Sequence, residues 1–171
     1  MNKVLITGVA GLLGSRLASW IIDNTNYEVI GIDDLSGGYS EHIHNKVKFY
    51  KFNLNDLDAL KGVFEKEKID IVYHFAAYAA EGLSPFIRKY NYENNLIAST
   101  NLITCSIQHN ISRFVFASSM SVYGDKYKPP FDENMKQAPI DPYAVAKYAV
   151  EMDLEIAFKQ HGLNYTIVRP H

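Results

Sequence analysis

Apolar positions return along this chain in two rhythms. Short β-branched or apolar runs, of which Lys3-Val4-Leu5-Ile6-Thr7 is the first, alternate with longer stretches whose apolar residues recur every three to four positions. The first rhythm reads as buried parallel strands and the second as helices with one apolar face. The pattern predicts strands over residues 3–7, 28–32, 47–52, 70–75, 113–118 and 164–169, and helices near 12–23, 56–67, 85–109 and 142–161. Between the second and third strands, Leu35 to Asn45 is irregular, and Gly37-Gly38 breaks any regular element there. Ser84-Pro85 and Asp141-Pro142 each set a capping residue before a proline that can take the first helical position, which marks two helix starts. Strand and helix in alternation predict an α/β fold: a doubly wound parallel sheet with helices on both faces. Ligands of such sheets bind beyond the carboxyl ends of the strands, where the strand order reverses.

Composition narrows the class without naming a reaction. The 171 residues suffice for one domain with a hydrophobic core and are too few for two of ordinary size. A hydrophobic share of 47% and a charged share of 21% are those of a soluble globular protein. The net charge of -2 leaves no basic excess for nucleic acid or an anionic membrane. No apolar run nears the ~20 residues of a membrane span. The single cysteine, Cys105, excludes an intramolecular disulfide and lies in an apolar helical stretch, as a buried structural thiol would. The first strand begins almost at once, which leaves no room for a signal peptide, and a cytoplasmic protein is expected. Six histidines are present, but none has the spacing of a zinc site, and no metal is expected.

Candidate chemistry begins at Thr7-Gly8-Val9-Ala10-Gly11-Leu12-Leu13-Gly14, between the first strand and the first helix. Gly8 suits a tight turn, the missing Cβ of Gly11 lets a pyrophosphate approach the backbone, and Gly14 allows close helix packing. The pyrophosphate would rest at the helix N-terminus, where free N–H groups and the dipole favour an anion. Taken alone, the loop reads equally well as a turn with no ligand. Context favours a dinucleotide, because the second strand ends in Asp33-Asp34, about 20 residues beyond Gly14. A carboxylate there accepts hydrogen bonds from the adenosine ribose hydroxyls and repels a 2′-phosphate, so NAD is expected over NADP. Asp33 can also be read as a turn residue, and Asp34 as only that.

Tyr143 and Lys147 stand four residues apart on one face of the last predicted helix. A phenol near its ordinary pKa of about 10 is a poor base at neutral pH. An ammonium one turn away, the positive end of the helix and a positive nicotinamide would each lower it toward a useful general base. A tyrosine and a lysine so spaced are also common on surface helices. Their place in the chain gives them meaning, because they follow the strand Arg113-Phe114-Val115-Phe116-Ala117-Ser118-Ser119, whose apolar part ends in hydroxyls where a parallel strand delivers side chains to a cleft. Ser119 can bridge Tyr143 and a substrate hydroxyl. Serines at a strand end are otherwise ordinary turn formers.

Read together, these residues resemble the extended short-chain dehydrogenase/reductase family, and within it the nucleotide-sugar epimerases and dehydratases. Thr7-Gly8-x-x-Gly11-x-x-Gly14, His74-Phe75-Ala76-Ala77, Asn94-Asn95, Ser118-Ser119-Met120-Ser121-Val122-Tyr123-Gly124, Tyr143-x-x-x-Lys147 and Arg169-Pro170 occur in family order over essentially the whole chain. The resemblance implies a Rossmann-type fold that binds NAD. Its cofactor positions are Gly8, Gly11, Leu12, Leu13, Gly14, Asp33, Asp34, Asn53, Leu54, Phe75, Ala76, Ala77, Asn95, Ala117, Ser118, Tyr143, Lys147 and Pro170. Asn53 and Leu54 would flank the adenine, while Phe75, Ala76 and Ala77 would line the trough. Asn95 would help place the catalytic group, and Pro170 and His171 would pass the nicotinamide. Ser119, Tyr143 and Lys147 match the catalytic trio, with Lys147 also holding the nicotinamide ribose.

Two departures bear on the reaction. Asn53 stands where an aspartate is more usual, and its amide can still bond the base. Met120 and Ser121 stand where sugar 4,6-dehydratases carry an acid pair, and a methionine cannot protonate a leaving hydroxyl. The resemblance therefore implies C4 epimerisation of a UDP-sugar: Tyr143 takes the C4 hydroxyl proton, hydride passes to the nicotinamide, and the 4-keto sugar turns over and receives it on the other face. A related decarboxylase or reductase, or a non-catalytic NAD-sensing module, are the competing readings. Relatives continue past Arg-Pro with a smaller domain that grips the nucleotide sugar. Residues 1–171 are expected to be the NAD-binding portion of a longer enzyme, with an exposed face and a homodimeric state through the two long helices.

Overall fold

The structure, a computed structural model, describes residues 2–170. Six parallel strands form one sheet: β1 (Lys3–Thr7), β2 (Glu28–Asp33), β3 (Lys48–Lys51), β4 (Ile71–His74), β5 (Arg113–Ala117) and β6 (Tyr165–Val168). Their order is β3-β2-β1-β4-β5-β6, so the direction of progression reverses between β1 and β4. This is the doubly wound Rossmann arrangement, and the reversal opens a crevice beyond the strands' carboxyl ends.

The helices are α1 (Leu12–Asn24), α2 (Leu57–Glu67), α3 (Arg88–Tyr92), α4 (Ala98–Gln108) and α5 (Pro142–His161). Side chains alternate between the two faces of each strand, which builds two cores. Leu5, Ile30, Val72, Phe114 and Phe116 face α2, α4 and α5, where Leu60, Phe64, Leu102 and Leu154 meet them. Val4, Ile6 and Val29 face the other way and meet Ala18 and Ile21 of α1. Helices do cover both faces, though unevenly. Because β2 joins β3 through a loop with a single 3-10 turn (Ser40–His42), α1 is, among the described residues, alone on its side.

Asp141 caps α5 by accepting from the Ala144 N–H at 2.9 Å, with Pro142 in the first turn, as the sequence predicts. The expected helix over 85–109 differs from what forms. Its place is taken by a 3-10 segment (Glu81–Phe86), α3, a π-turn (Glu93–Ile97) and α4. Ser84 does not cap. It is fully buried, its hydroxyl 2.7 Å from the Glu81 carbonyl oxygen and 3.2 Å from Asp141 Oδ1, and Pro85 lies inside the 3-10 segment. Cys105 is buried and unpaired, as expected. Among the described residues, no helix is long and apolar enough to cross a membrane.

Candidate active site

The β1–α1 turn depends on two close approaches. Gly8 has φ +71°, and a Cβ there would stand 2.7 Å from the Ala76 nitrogen. A Cβ on Gly14 would come within 2.1 Å of the Gly8 carbonyl oxygen, so Gly14 packs the helix against the turn itself. No side chain caps α1, whose N-cap is Gly11. Its first N–H groups therefore face outward beside exposed Leu12 and Leu13, as an anion requires.

Around this turn lies an open groove lined by Gly8, Gly11, Asp33, Asp34, Asn53, Leu54, Phe75, Ala76 and Ala77, all predicted from sequence. Asp33 Oδ2 accepts from the Ala10 N–H at 3.0 Å and Oδ1 from the Leu35 N–H at 2.8 Å. Each oxygen keeps a second lone pair, so the carboxylate can still take ribose hydroxyls. Burial pushes the Asp34 carboxyl up, but hydrogen bonds from Ser36 and Asn53 outweigh it and hold the group below its ordinary value. Asn53 is thereby partly committed: its Nδ2 donates to Asp34 at 2.6 Å and its Oδ1 accepts from the Asn55 N–H at 2.9 Å. The groove also takes in Ser36, Gly37, Gly38, Phe52, Tyr78, Tyr90, Asn94 and Ala98, which sequence reasoning did not assign. Gly38 carried a readable signal, since a Cβ there would lie 2.7 Å from the Ala10 Cβ, and Tyr39 N–H donates to Ala10 O at 3.2 Å. The Gly37-Gly38 break lays the loop across the glycine turn.

The catalytic candidates meet at the carboxyl end of β5. Tyr143 and Lys147 are both buried on α5. The Lys147 ammonium donates to the Ala117 carbonyl at 2.7 Å and lies 5.8 Å from the Tyr143 ring centre and 4.8 Å from that of Phe116. Burial pushes it down to about 8, while the Glu151 carboxylate raises it. Ser119 is half-buried at the start of a 3-10 turn (Met120–Tyr123); its Oγ accepts from the Ser121 N–H at 3.1 Å. Pro170 O accepts from the Met120 N–H at 3.2 Å, which brings the end of β6 beside this set. His171 lies outside the described residues.

Two expectations need correction. The Tyr143 phenol is not lowered: burial lifts it above its ordinary value, and Glu81 and Asp141 add to this, while the approach of Ser119 pulls the other way. Tyr143 is largely buried, and the Lys147 ammonium is engaged by Ala117 O. Ser118 is not presented to the groove. It is 3% exposed and donates to Glu151 Oε1, whose carboxylate also takes Arg169 through Nε at 2.9 Å and Nη2 at 2.7 Å. Ser118 therefore belongs to a buried network that ties β5, α5 and the end of β6 together.

Asn95 lies behind the groove, on the π-turn, and is fully hydrogen-bonded there. Sequence reasoning also missed what His74 does. Its Nδ1 lies 2.7 Å from Thr7 Oγ1 and its Nε2 2.8 Å from Ser99 Oγ. Ser99 spends its proton on the Asn95 carbonyl, so Nε2 carries the ring proton and Thr7 donates to Nδ1. Burial, with the Lys147 charge second, pushes His74 down to about 3, so the ring stays neutral and structural.

Comparison with known proteins places these features. Residues 4–171 match the NAD dependent epimerase/dehydratase family. UDP-glucose 4-epimerase of Lactobacillus helveticus is 33% identical over 98% of this chain and 50% of its own length. Human dTDP-D-glucose 4,6-dehydratase is 34% identical, again over 98% of this chain and 50% of its own. Among solved structures, UDP-glucose 4-epimerase of Thermotoga maritima with UDP-glucose superposes with a TM-score of 0.94 at 34% identity, covering 98% of this chain and 54% of that one. The Brucella ovis UDP-glucose 4-epimerase in complex with NAD gives 0.93 at 30% identity, covering 99% and 51%. The chain thus spans about half the length of the curated relatives it matches. With its switch-point groove, glycine turn and Tyr143–Lys147 helix, the chain belongs to the NAD-dependent epimerase/dehydratase family.

Proposed function

We propose that this chain is the NAD-binding half of a nucleotide-sugar C4 epimerase, acting on a UDP-sugar. The observation that carries the proposal is the meeting of Ser119, Tyr143 and Lys147 at the end of β5, followed by Met120 rather than an acid. The uncapped α1 and Gly11 suit the pyrophosphate, Asp33 the adenosine ribose, and Lys147, with two N–H bonds still to give, the nicotinamide ribose. When bound, NAD supplies the group that accepts hydride from C4 and returns it.

The chain's own residues handle the proton. Tyr143 takes it from the C4 hydroxyl and returns it to the same oxygen when C4 is reduced on its other face, with Ser119 orienting that hydroxyl. Because burial raises the phenol, it works as a base only with positive charge close by. Lys147 is cationic at neutral pH and is the protein's contribution. A 4,6-dehydratase must also protonate a leaving hydroxyl, which the Met120 thioether cannot do. The exposed side chains of Val145, Met152 and Ile156 on α5 further support a homodimer.

The complete gene product, given UDP-glucose, is expected to yield UDP-galactose, or to interconvert the N-acetyl pair. Tyr143→Phe should lower kcat by three orders of magnitude or more while NAD still binds, on the order of what losing a positioned general base costs. Turnover at the wild-type rate in Tyr143→Phe would overturn the mechanism.

A further inference from the structure

The first turn of α5, which carries Tyr143, is tied to the groove by a chain of side-chain amides that the proposed reaction does not itself use. Asn91 of α3 is 1% exposed. Its Nδ2 donates to the carbonyl of Pro142, the residue before Tyr143, at 2.9 Å. Its Oδ1 accepts from Asn95 Nδ2 at 2.8 Å. Asn95 is also 1% exposed and pairs with the Tyr78 peptide in both directions, accepting from its N–H at 2.8 Å and donating to its carbonyl at 3.1 Å. Tyr78 is part of the groove lining.

The direction of this relay is fixed. The Tyr78 N–H demands an acceptor, so Asn95 turns its oxygen there and its nitrogen toward Asn91. Asn91 must then answer with oxygen, which leaves its nitrogen for Pro142 O. Reversing either amide sets like against like. A π-turn inside a helix costs stability and is kept most often at functional sites. Here it presents Asn95 to the Tyr78 peptide and Ser99 to His74. The relay thus runs from the lip of the groove through the π-turn to the backbone beside Tyr143.

We propose that Asn91 is a positioning residue for Tyr143, holding the first turn of α5 in register with the groove wall at Tyr78. It touches neither substrate nor cofactor and acts through Pro142 and Asn95. The inference rests on Tyr143 being the proton-moving group. An ångström of misplacement at such a group can cost about a hundredfold in rate.

The test uses the complete gene product with Asn91→Leu, which keeps volume and removes the amide, and Asn91→Ala, which spares the site any steric strain. Tyr143→Phe is the control. In whichever of the two variants folds, kcat for sugar epimerisation should fall about 10- to 100-fold, with KM for the nucleotide sugar and the NAD Kd within about twofold of wild type. A lowered melting temperature with wild-type kcat would show a purely structural role and overturn the inference. KM and the NAD Kd worsening in step with kcat would overturn it too, since the damage would then be general. If Tyr143→Phe stays active, the underlying functional reading fails; if Tyr143→Phe is dead and Asn91→Leu is fully active, only the relay fails.

Discussion

At Asp33 one carboxylate is a candidate for two duties, and the sequence offered both, as ribose ligand and as turn residue. Its position after β2 is that expected of a ribose ligand. Its bonds to the Ala10 and Leu35 N–H groups show that it also holds the glycine turn against the loop that follows. Asp33→Asn removes the charge and, because an amide has one acceptor oxygen, one of these two backbone bonds as well. NAD affinity should therefore weaken roughly tenfold, the worth of a charge-assisted hydrogen bond. NADP affinity should hold or improve as repulsion of the 2′-phosphate is removed. Calorimetry with both cofactors measures this, and an unchanged NAD-to-NADP ratio would remove Asp33 from the selectivity argument. Ser118 and Tyr143 mark what a linear reading cannot reach. Glu151 lies 33 residues beyond Ser118 and takes its hydroxyl away from the groove. The Tyr143 pKa is set by burial, which depends on everything packed around it.

Among the elements, the strands and α1, α2 and α5 were readable because their apolar periods, and the Asp caps of α2 and α5, are local. From Ser84 to Gln108 the helix itself was readable, but its 3-10 start and its π-turn were not. Its Asn91, Asn95 and Ser99 have weak helix propensity and find partners in other elements, and these tertiary hydrogen bonds accompany a π-turn within the helix. Another long-range group links β1, β3 and α2 at a single acid. Glu67, at the end of α2, is 1% exposed and meets Lys48 Nζ at 2.7 Å, Lys3 Nζ at 3.3 Å and the Tyr50 hydroxyl. Burial pushes its carboxyl up, but these three partners bring it from 4.5 to about 2. A depressed acid stabilises the fold fully above its unfolded pKa and loses that contribution as pH falls through the folded one. Urea unfolding should therefore show stability declining between about pH 4.5 and 2. Glu67→Gln should be less stable at pH 7 and flatter across that window. An equally steep decline in Glu67→Gln would assign the acid sensitivity to other carboxylates.

For the whole molecule, the uneven cover of the sheet and the outer face of α5 determine how copies would meet. On β6, Tyr165 and Ile167 pack into the core shared with α5, whereas Thr166 and Val168 point to the thinly covered side and are exposed. A separate apolar stripe runs along α5, where Val145, Met152 and Ile156 are 40%, 44% and 49% exposed. Spacings of seven and four residues put these three on one helical face, the geometry by which a helix packs against its own symmetry mate. A two-fold contact along α5 would bury each stripe against the other while leaving the groove and the β6 edge open. Light scattering across a concentration series is expected to show a dimer that Ile156→Lys converts to a monomer, with NAD affinity unchanged. A wild-type monomer at high concentration would defeat the dimer proposal. A dimer that survives Ile156→Lys but is lost on Val168→Lys would move the contact to the open face of the sheet. In that case the two-fold axis would lie beside the carboxyl end of β6, and association would bury Thr166 and Val168.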